Sequence, residues 1–134
     1  MDKIQLFNST HAPANRFGDL RVGWTVRISQ KIKEGARAKN TNFEGIIIAK
    51  KHGNEAGGSI TVRRHAGGYG VEKTFPLRLT TIEKIEVLKT GSVSRAKLLY
   101  LRTKSAKEIR KKTRQETMVK APEKVEAPAE AAAQ

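Results

Sequence analysis

The chain contains no cysteine, which excludes disulfides, thiolate zinc sites and a cysteine nucleophile, and fits a reducing compartment. Proline is scarce: only Pro76 falls between Pro13 and Pro122, so the middle of the chain is free to build hydrogen-bonded ladders. Long apolar runs are missing. The opening MDKIQLFNSTHAPANRF lacks the stretch of about 7 or more apolar residues that a signal peptide needs, and nothing approaches the ~18 of a membrane span. The expectation is a cytoplasmic protein with no membrane contact. Only seven aromatics occur, Phe7, Phe17, Trp24, Phe43, Tyr69, Phe75 and Tyr100, and most fall where a core would claim them. No stacking platform for single-stranded bases is expected, which argues for recognition of folded RNA by backbone and shape.

Acids are also in short supply, 13 Asp and Glu against 27 Lys and Arg, for a net charge of +14 on 134 residues. That length allows one modest core. A field so positive repels itself unless a polyanion lies close by, and nucleic acid is the expected partner. The excess is not uniform. Residues 114–134 hold three cations, Arg114, Lys120 and Lys124, against four glutamates, so the +14 of the whole chain becomes +15 on residues 1–113.

All 11 glycines lie at or before Gly91, after which Ala, Lys, Arg and Glu take over. Turn-rich sheet should give way there to helix and tail. From Trp24 to Ile32 apolar and polar residues alternate, as in a half-buried strand. Phe43 to Ala49 is apolar on both parities and β-branched at Ile46, Ile47 and Ile48, which predicts a central strand buried on both faces. Ser59 to Arg64 and Tyr69 to Leu77 flank Gly67 and Gly68 as a hairpin would. Thr81 to Leu88 suits a strand better than a helix by its β-branched content.

Five short strands with glycine-rich turns predict an all-β fold, a small SH3-like barrel first and an OB-type barrel second. Its core should include Trp24, Val26, Ile28, Phe43, Ile47, Val62, Phe75 and Val87. Ser94 to Arg102 reads as a helical turn or two, and Ser105 with Glu108 forms a capping-box pattern opening a brief basic helix. The division is an N-terminal arm over 1–21, a barrel with basic helical extension over 22–112, and a disordered Ala/Glu/Pro-rich tail over 113–134 that assembly should not need.

Catalytic chemistry has little to work with. His11, His52 and His65 are scattered without metal-ligand spacing, and Glu44, Glu72, Glu83 and Glu86 stand beside cations where charge balance explains them. No catalytic residue, metal site or cofactor is expected. The GGYG at Gly67 to Gly70 lacks the spacing and following helix of a phosphate loop. Basic clusters are the stronger signal. Lys50, Lys51, Arg63, Arg64 and Lys73 sit on or near predicted strand ends, and Arg95, Lys97, Arg102, Lys104, Lys107, Arg110, Lys111 and Lys112 put eight cations within eighteen residues. These thirteen are the candidate RNA contacts, acting on phosphate.

Four strings then give a resemblance. FEGIIIAKK at Phe43 to Lys51, GVEKTFPL at Gly70 to Leu77, IEKIEV at Ile82 to Val87 and RAKLLYLR at Arg95 to Arg102 occur in this order, and together they resemble the family of the nineteenth protein of the bacterial large ribosomal subunit, over roughly Val22 to Lys112. The resemblance implies an SH3-like barrel set in large-subunit rRNA, a contribution to a bridge with small-subunit rRNA at the subunit interface, and strand-to-strand contact with neighbouring large-subunit proteins, notably the fourteenth. It implies a structural role without turnover. The rival from another class is a translation factor or RNA-acting enzyme built on a small barrel.

Overall fold

The computed structural model describes residues 2–11, 17–113 and 115–116. Its elements are α1 (Lys3–His11), β1 (Thr25–Glu34), β2 (Arg37–Lys51), β3 (Ser59–Ala66), β4 (Tyr69–Pro76), β5 (Ile82–Gly91), a 3₁₀ turn (Leu99–Arg102), α2 (Ala106–Thr113) and β6 (Gln115–Glu116). The strands form one antiparallel sheet in the order β4-β3-β2-β1-β5-β6. All five expected strands are present, and the ambiguous segment after Thr81 is β5.

The first five strands cannot lie flat. Neighbouring strands run about 4.8 Å apart, so β4 and β5, four steps from one another, would be separated by ~19 Å in a planar sheet. Yet Phe75 of β4 and Ile82 of β5 belong to one buried cluster with Val26, Ile28, Ile47, Ile60 and Val62. Lys73 on β4 also reaches Gln30 on β1, Nζ to Oε1 at 3.2 Å. The sheet therefore curls into the small barrel expected from the alternation. Of the expected core, Val26, Ile28, Ile47, Val62 and Phe75 are fully buried, and Trp24, Phe43 and Val87 pack half-buried against them. Gly45 lets β2 and β3 approach, since a Cβ there would collide with the Arg63 backbone. The β3–β4 hairpin turns on Gly67 and Gly68 at φ 58° and 84°, the left-handed pair that a type I′ turn requires.

β2 is where the two halves of the molecule join. Its pairing with β3 slips by one residue between Ile47 and Ala49, the mark of a β-bulge. Ile47 points into the barrel, whereas Ile48 is buried with Leu98, Leu101 and Ile109 in a second cluster on the outer face. The Ile48 carbonyl accepts a hydrogen bond from the Leu98 amide at 2.8 Å. That bond explains why the helical reading of Ser94 to Arg102 is only partly realised: an amide spent on β2 cannot donate to the carbonyl four residues back, and helical structure waits until Leu99.

Helix α2 opens with the anticipated capping box. The Ser105 amide donates to Glu108 Oε2 at 3.2 Å and the Glu108 amide to Ser105 Oγ at 3.4 Å. The tail expected to be disordered from residue 113 is folded at its start. Thr113 is fully buried, its hydroxyl donating to the Ile109 carbonyl at 2.8 Å, and Gln115 and Glu116 pair with Gly91 and Thr90. The remainder of that expectation, residues 117–134, lies outside the described residues. In the N-terminal arm α1 adds a helix that no periodicity announces, with Ile4, Leu6 and Phe7 largely exposed.

Because Ile48 is as buried as Ile47, Ile48→Ala is expected to destabilise the protein by about 2–4 kcal/mol, the range for emptying a closed core site, and by about as much as Ile47→Ala. Urea unfolding of the two variants checks this. A loss under ~1 kcal/mol for Ile48→Ala would mean that the extension does not seal the outer face.

Candidate nucleic-acid interface

The thirteen candidate cations divide by what they touch. Lys50 is only 15% exposed along its side chain and is held by Asp19 and by the Leu20 carbonyl, each at 3.1 Å. It pins the segment before β1 to β2. Lys73 donates to Gln30 and lies 5.2 Å from the centre of the Phe75 ring. Arg95 and Lys112 both sit over Tyr100, at 5.7 and 5.2 Å from the ring centre, so one aromatic ring gathers cations from before the 3₁₀ turn and from the end of α2.

Arg63 and Arg102 share the carboxylate of Glu72. Arg102 grips it with two nitrogens, Nε to Oε1 at 2.7 Å and the terminal nitrogen to Oε2 at 2.8 Å, and Arg63 adds a third bond at 2.8 Å. The clasp ties β3, β4 and the 3₁₀ turn together, and a paired, forked geometry is the strong form of such a contact. The Arg102 bonds, then the one from Arg63, hold the Glu72 carboxyl below its ordinary value, and Glu72 in turn raises the Arg102 guanidinium. A Cβ on Gly70 would strike the Arg63 guanidinium, which gives the glycine opening GVEKTFPL a reason: it makes room for the arginine.

The other carboxylates singled out are also engaged. Glu44 takes Arg27 at 3.1 Å, Glu83 faces Lys31 at 3.9 Å, and Glu86 bonds Lys84 and lies 3.7 Å from Arg27. The Lys84 bond holds Glu86 below its ordinary value. Charge balance therefore accounts for all four glutamates. Among the described residues no group of three His, Asp or Glu could hold a metal ion. His52 occupies a turn at φ 54° and His65 stands exposed near the end of β3; the side chain of His11 lies outside the described residues.

What remains is a set of cations without a partner among the described residues. Lys51, Arg64, Lys97, Lys107 and Lys111 are exposed and unpaired, and Lys104 is half-buried and unpaired. Arg110 belongs to α2, and its side chain is outside the described residues. Lys107 and Lys111 stand one helical turn apart, each two residues from buried Ile109, so they project from the face of α2 turned away from the barrel. Arg64 stands on the wall of a cleft of about 480 Å³ between the sheet and the extension, lined by Arg27, Asn42, Arg63, Leu101 and Ile109 among others. Sequence reasoning thus gathered structural and free cations without separating them. It also passed over Lys33, Arg37 and Lys39 at the β1–β2 hairpin, all exposed and unpaired among the described residues; their signal was the alternation of cations on either side of Gly35.

A family model described as ribosomal protein L19 matches residues 2–114. Among similar proteins, a large ribosomal subunit protein bL19 of Ruegeria sp. (strain TM1040) is 46% identical over 92 residues, covering 69% of this chain and 75% of that protein. Its counterpart in Ruegeria pomeroyi is 45% identical over 92 residues, covering 69% and 72%.

The clasp predicts a pH dependence. A carboxylate with a depressed folded value contributes stability above its unfolded value, here near 4.5, and loses it as pH falls through the folded value. Glu72→Gln should lower stability at neutral pH by about 1–2 kcal/mol and flatten the acid limb of the stability curve. Denaturant melts of both proteins from pH 7 to pH 3 check it. Parallel curves would mean that Glu72 contributes no more than an ordinary surface acid.

Proposed function

The chain belongs to the ribosomal protein L19 family, and we propose that it grips large-subunit rRNA through phosphate contacts made by the unpaired cations of its extension and of β3. The family sets the class: a structural, non-enzymatic constituent of the large ribosomal subunit, acting on the cytoplasmic ribosome.

The observation that carries the RNA reading is the split between engaged and free cations. Glu72 engages Arg63 and Arg102 internally, whereas Arg64, Lys97, Lys107 and Lys111 face solvent without a partner among the described residues. Exposed, unopposed cations on a body of +15 are the group that counterion release on binding phosphate would reward. One further exposed surface supports the protein contacts. β4 ends the sheet order, so its outer edge takes no strand among the described residues, and Tyr69 and Val71 beside it are 79% and 47% exposed. An open strand edge with apolar side chains is suited to strand addition by a neighbouring ribosomal protein; the fourteenth large-subunit protein is the neighbour we assign to it. The same reading puts the basic outer surface at the interface with small-subunit rRNA, as part of an intersubunit bridge.

A resident constituent stays at one copy per large subunit after a high-salt wash, and a reversible translation factor washes off; quantifying the protein in washed subunits decides between them. For the contacts, a variant carrying Arg64→Gln, Lys97→Gln, Lys107→Gln and Lys111→Gln should bind an rRNA fragment more weakly and with a shallower salt dependence, each lost contact reducing the slope by a little under ~1. Its free-protein stability should stay within about 0.5 kcal/mol per substitution of the parent. Arg102→Gln should do the reverse, weakening the fold first. An unchanged slope in the quadruple variant would remove the extension and β3 from the interface.

A further inference from the structure

The β1–β2 hairpin outruns the barrel. β1 pairs with β5 only as far as Gln30, and β2 pairs with β3 only from Ile46 onward, yet the two strands remain laddered to one another through Lys31↔Asn40, Ile32↔Lys39, Lys33↔Ala38 and Glu34↔Arg37. Every residue from Lys33 to Asn40 is exposed. A two-stranded ribbon with no apolar face is marginal in water by itself, and this one adds almost nothing to either core.

Its charges are placed on both sides. Cross-strand partners share a face and successive residues alternate between faces. Lys31, Lys33, Ala38 and Asn40 therefore make one face, and Ile32, Glu34, Arg37 and Lys39 the other. Four cations stand against one acid over residues 31–40. Glu83 from β5 reaches Lys31 at 3.9 Å and Asn40 at 3.3 Å, fixing the root of the ribbon to the barrel. Beyond that root, Lys33 on one face and Arg37 and Lys39 on the other have no ion-pair partner among the described residues. A protein lying on a single RNA surface needs cations on one side only. Cations on both sides of a thin ribbon that buries no apolar face match a slot whose two walls are both phosphate.

We propose that this ribbon is a second RNA-gripping element that inserts between two separate backbone segments of folded RNA, Lys33 facing one and Arg37 with Lys39 facing the other. The proposal rests on the rRNA-binding reading above and extends it to residues and a geometry that reading does not use. It is distinct from the plainer role of lysines on an exposed strand edge, which is to discourage edge-to-edge aggregation, because that role makes no contact with RNA.

Since the chain has no cysteine, single Lys33→Cys and Lys39→Cys variants offer unique attachment points for an iron chelate that generates hydroxyl radicals. With each variant incorporated into large subunits, both positions should cut rRNA, and at two different places in its sequence. Cuts from one position only, the same cut from both, or none from either would overturn the proposal. A parallel salt titration on protein-free large-subunit rRNA guards against a disturbance by the chelate. There Lys33→Gln should reduce the slope by a little under ~1, and Arg37→Gln with Lys39→Gln by about twice that, the two effects adding; an unchanged slope in either variant is again a failure of the ribbon. A failure of the parent protein to enter large subunits would instead overturn the functional reading, and the ribbon with it.

Discussion

Everything in this molecule hangs on the fact that β2 must be covered on both faces. A strand apolar on both parities leaves one face to water unless something lies on top of it, and here the barrel takes Ile47 while the C-terminal segment takes Ile48. The one-residue slip beside Ile48 and the hydrogen bond from Leu98 to the Ile48 carbonyl place the incoming chain, and the leucines at 98 and 101 with Ile109 then seal it. The extension is thus an outer layer of the fold and not an appendage. The cations it carries inherit a fixed position from that packing, which is what separates a shaped interface from a flexible basic arm.

Electrostatics divide along the same line. Where two parts of the chain must be held together, a cation is given a partner: Lys50 with Asp19, Arg63 and Arg102 with Glu72, Lys31 with Glu83. On α2 and the β1–β2 hairpin, Lys107, Lys111, Lys33, Arg37 and Lys39 stand without an ion-pair partner among the described residues. A chain with so few acids spends most of those in its folded body on internal joints, and the rest of the positive charge is unbalanced within the fold.

Much of the barrel was legible because alternation with period two reports directly which side of a strand is buried, and the triple isoleucine declared β2 as a strand with two hidden faces. The capping box at Ser105 and Glu108 was readable for the same reason: its chemistry is local. What could not be read was decided by contacts distant in sequence. Whether Arg63 is a phosphate ligand or half of a clasp depends on Glu72 and Arg102, 9 and 39 positions away along the chain. Thr113 looked like the start of a polar tail because nothing nearby in sequence says that it lies under Gly91. α1 has no apolar stripe to find, and the reach of β2 back to Arg37 has no hydrophobic signal because that part of the ladder buries nothing.

The outer cover of β2 arrives last as the chain is made. By the time Gly91 has been added all five barrel strands exist, but Ile48 still lacks Leu98, Leu101 and Ile109, which come from the following eighteen residues. Through that interval the nascent barrel presents an uncovered isoleucine on β2 together with an open edge two strands away at β4. That combination is what makes partly folded chains adhere to one another. The outer face is sealed only once Ile109 has been added, and a chain cut short after β5 would be a finished barrel with an unfinished surface.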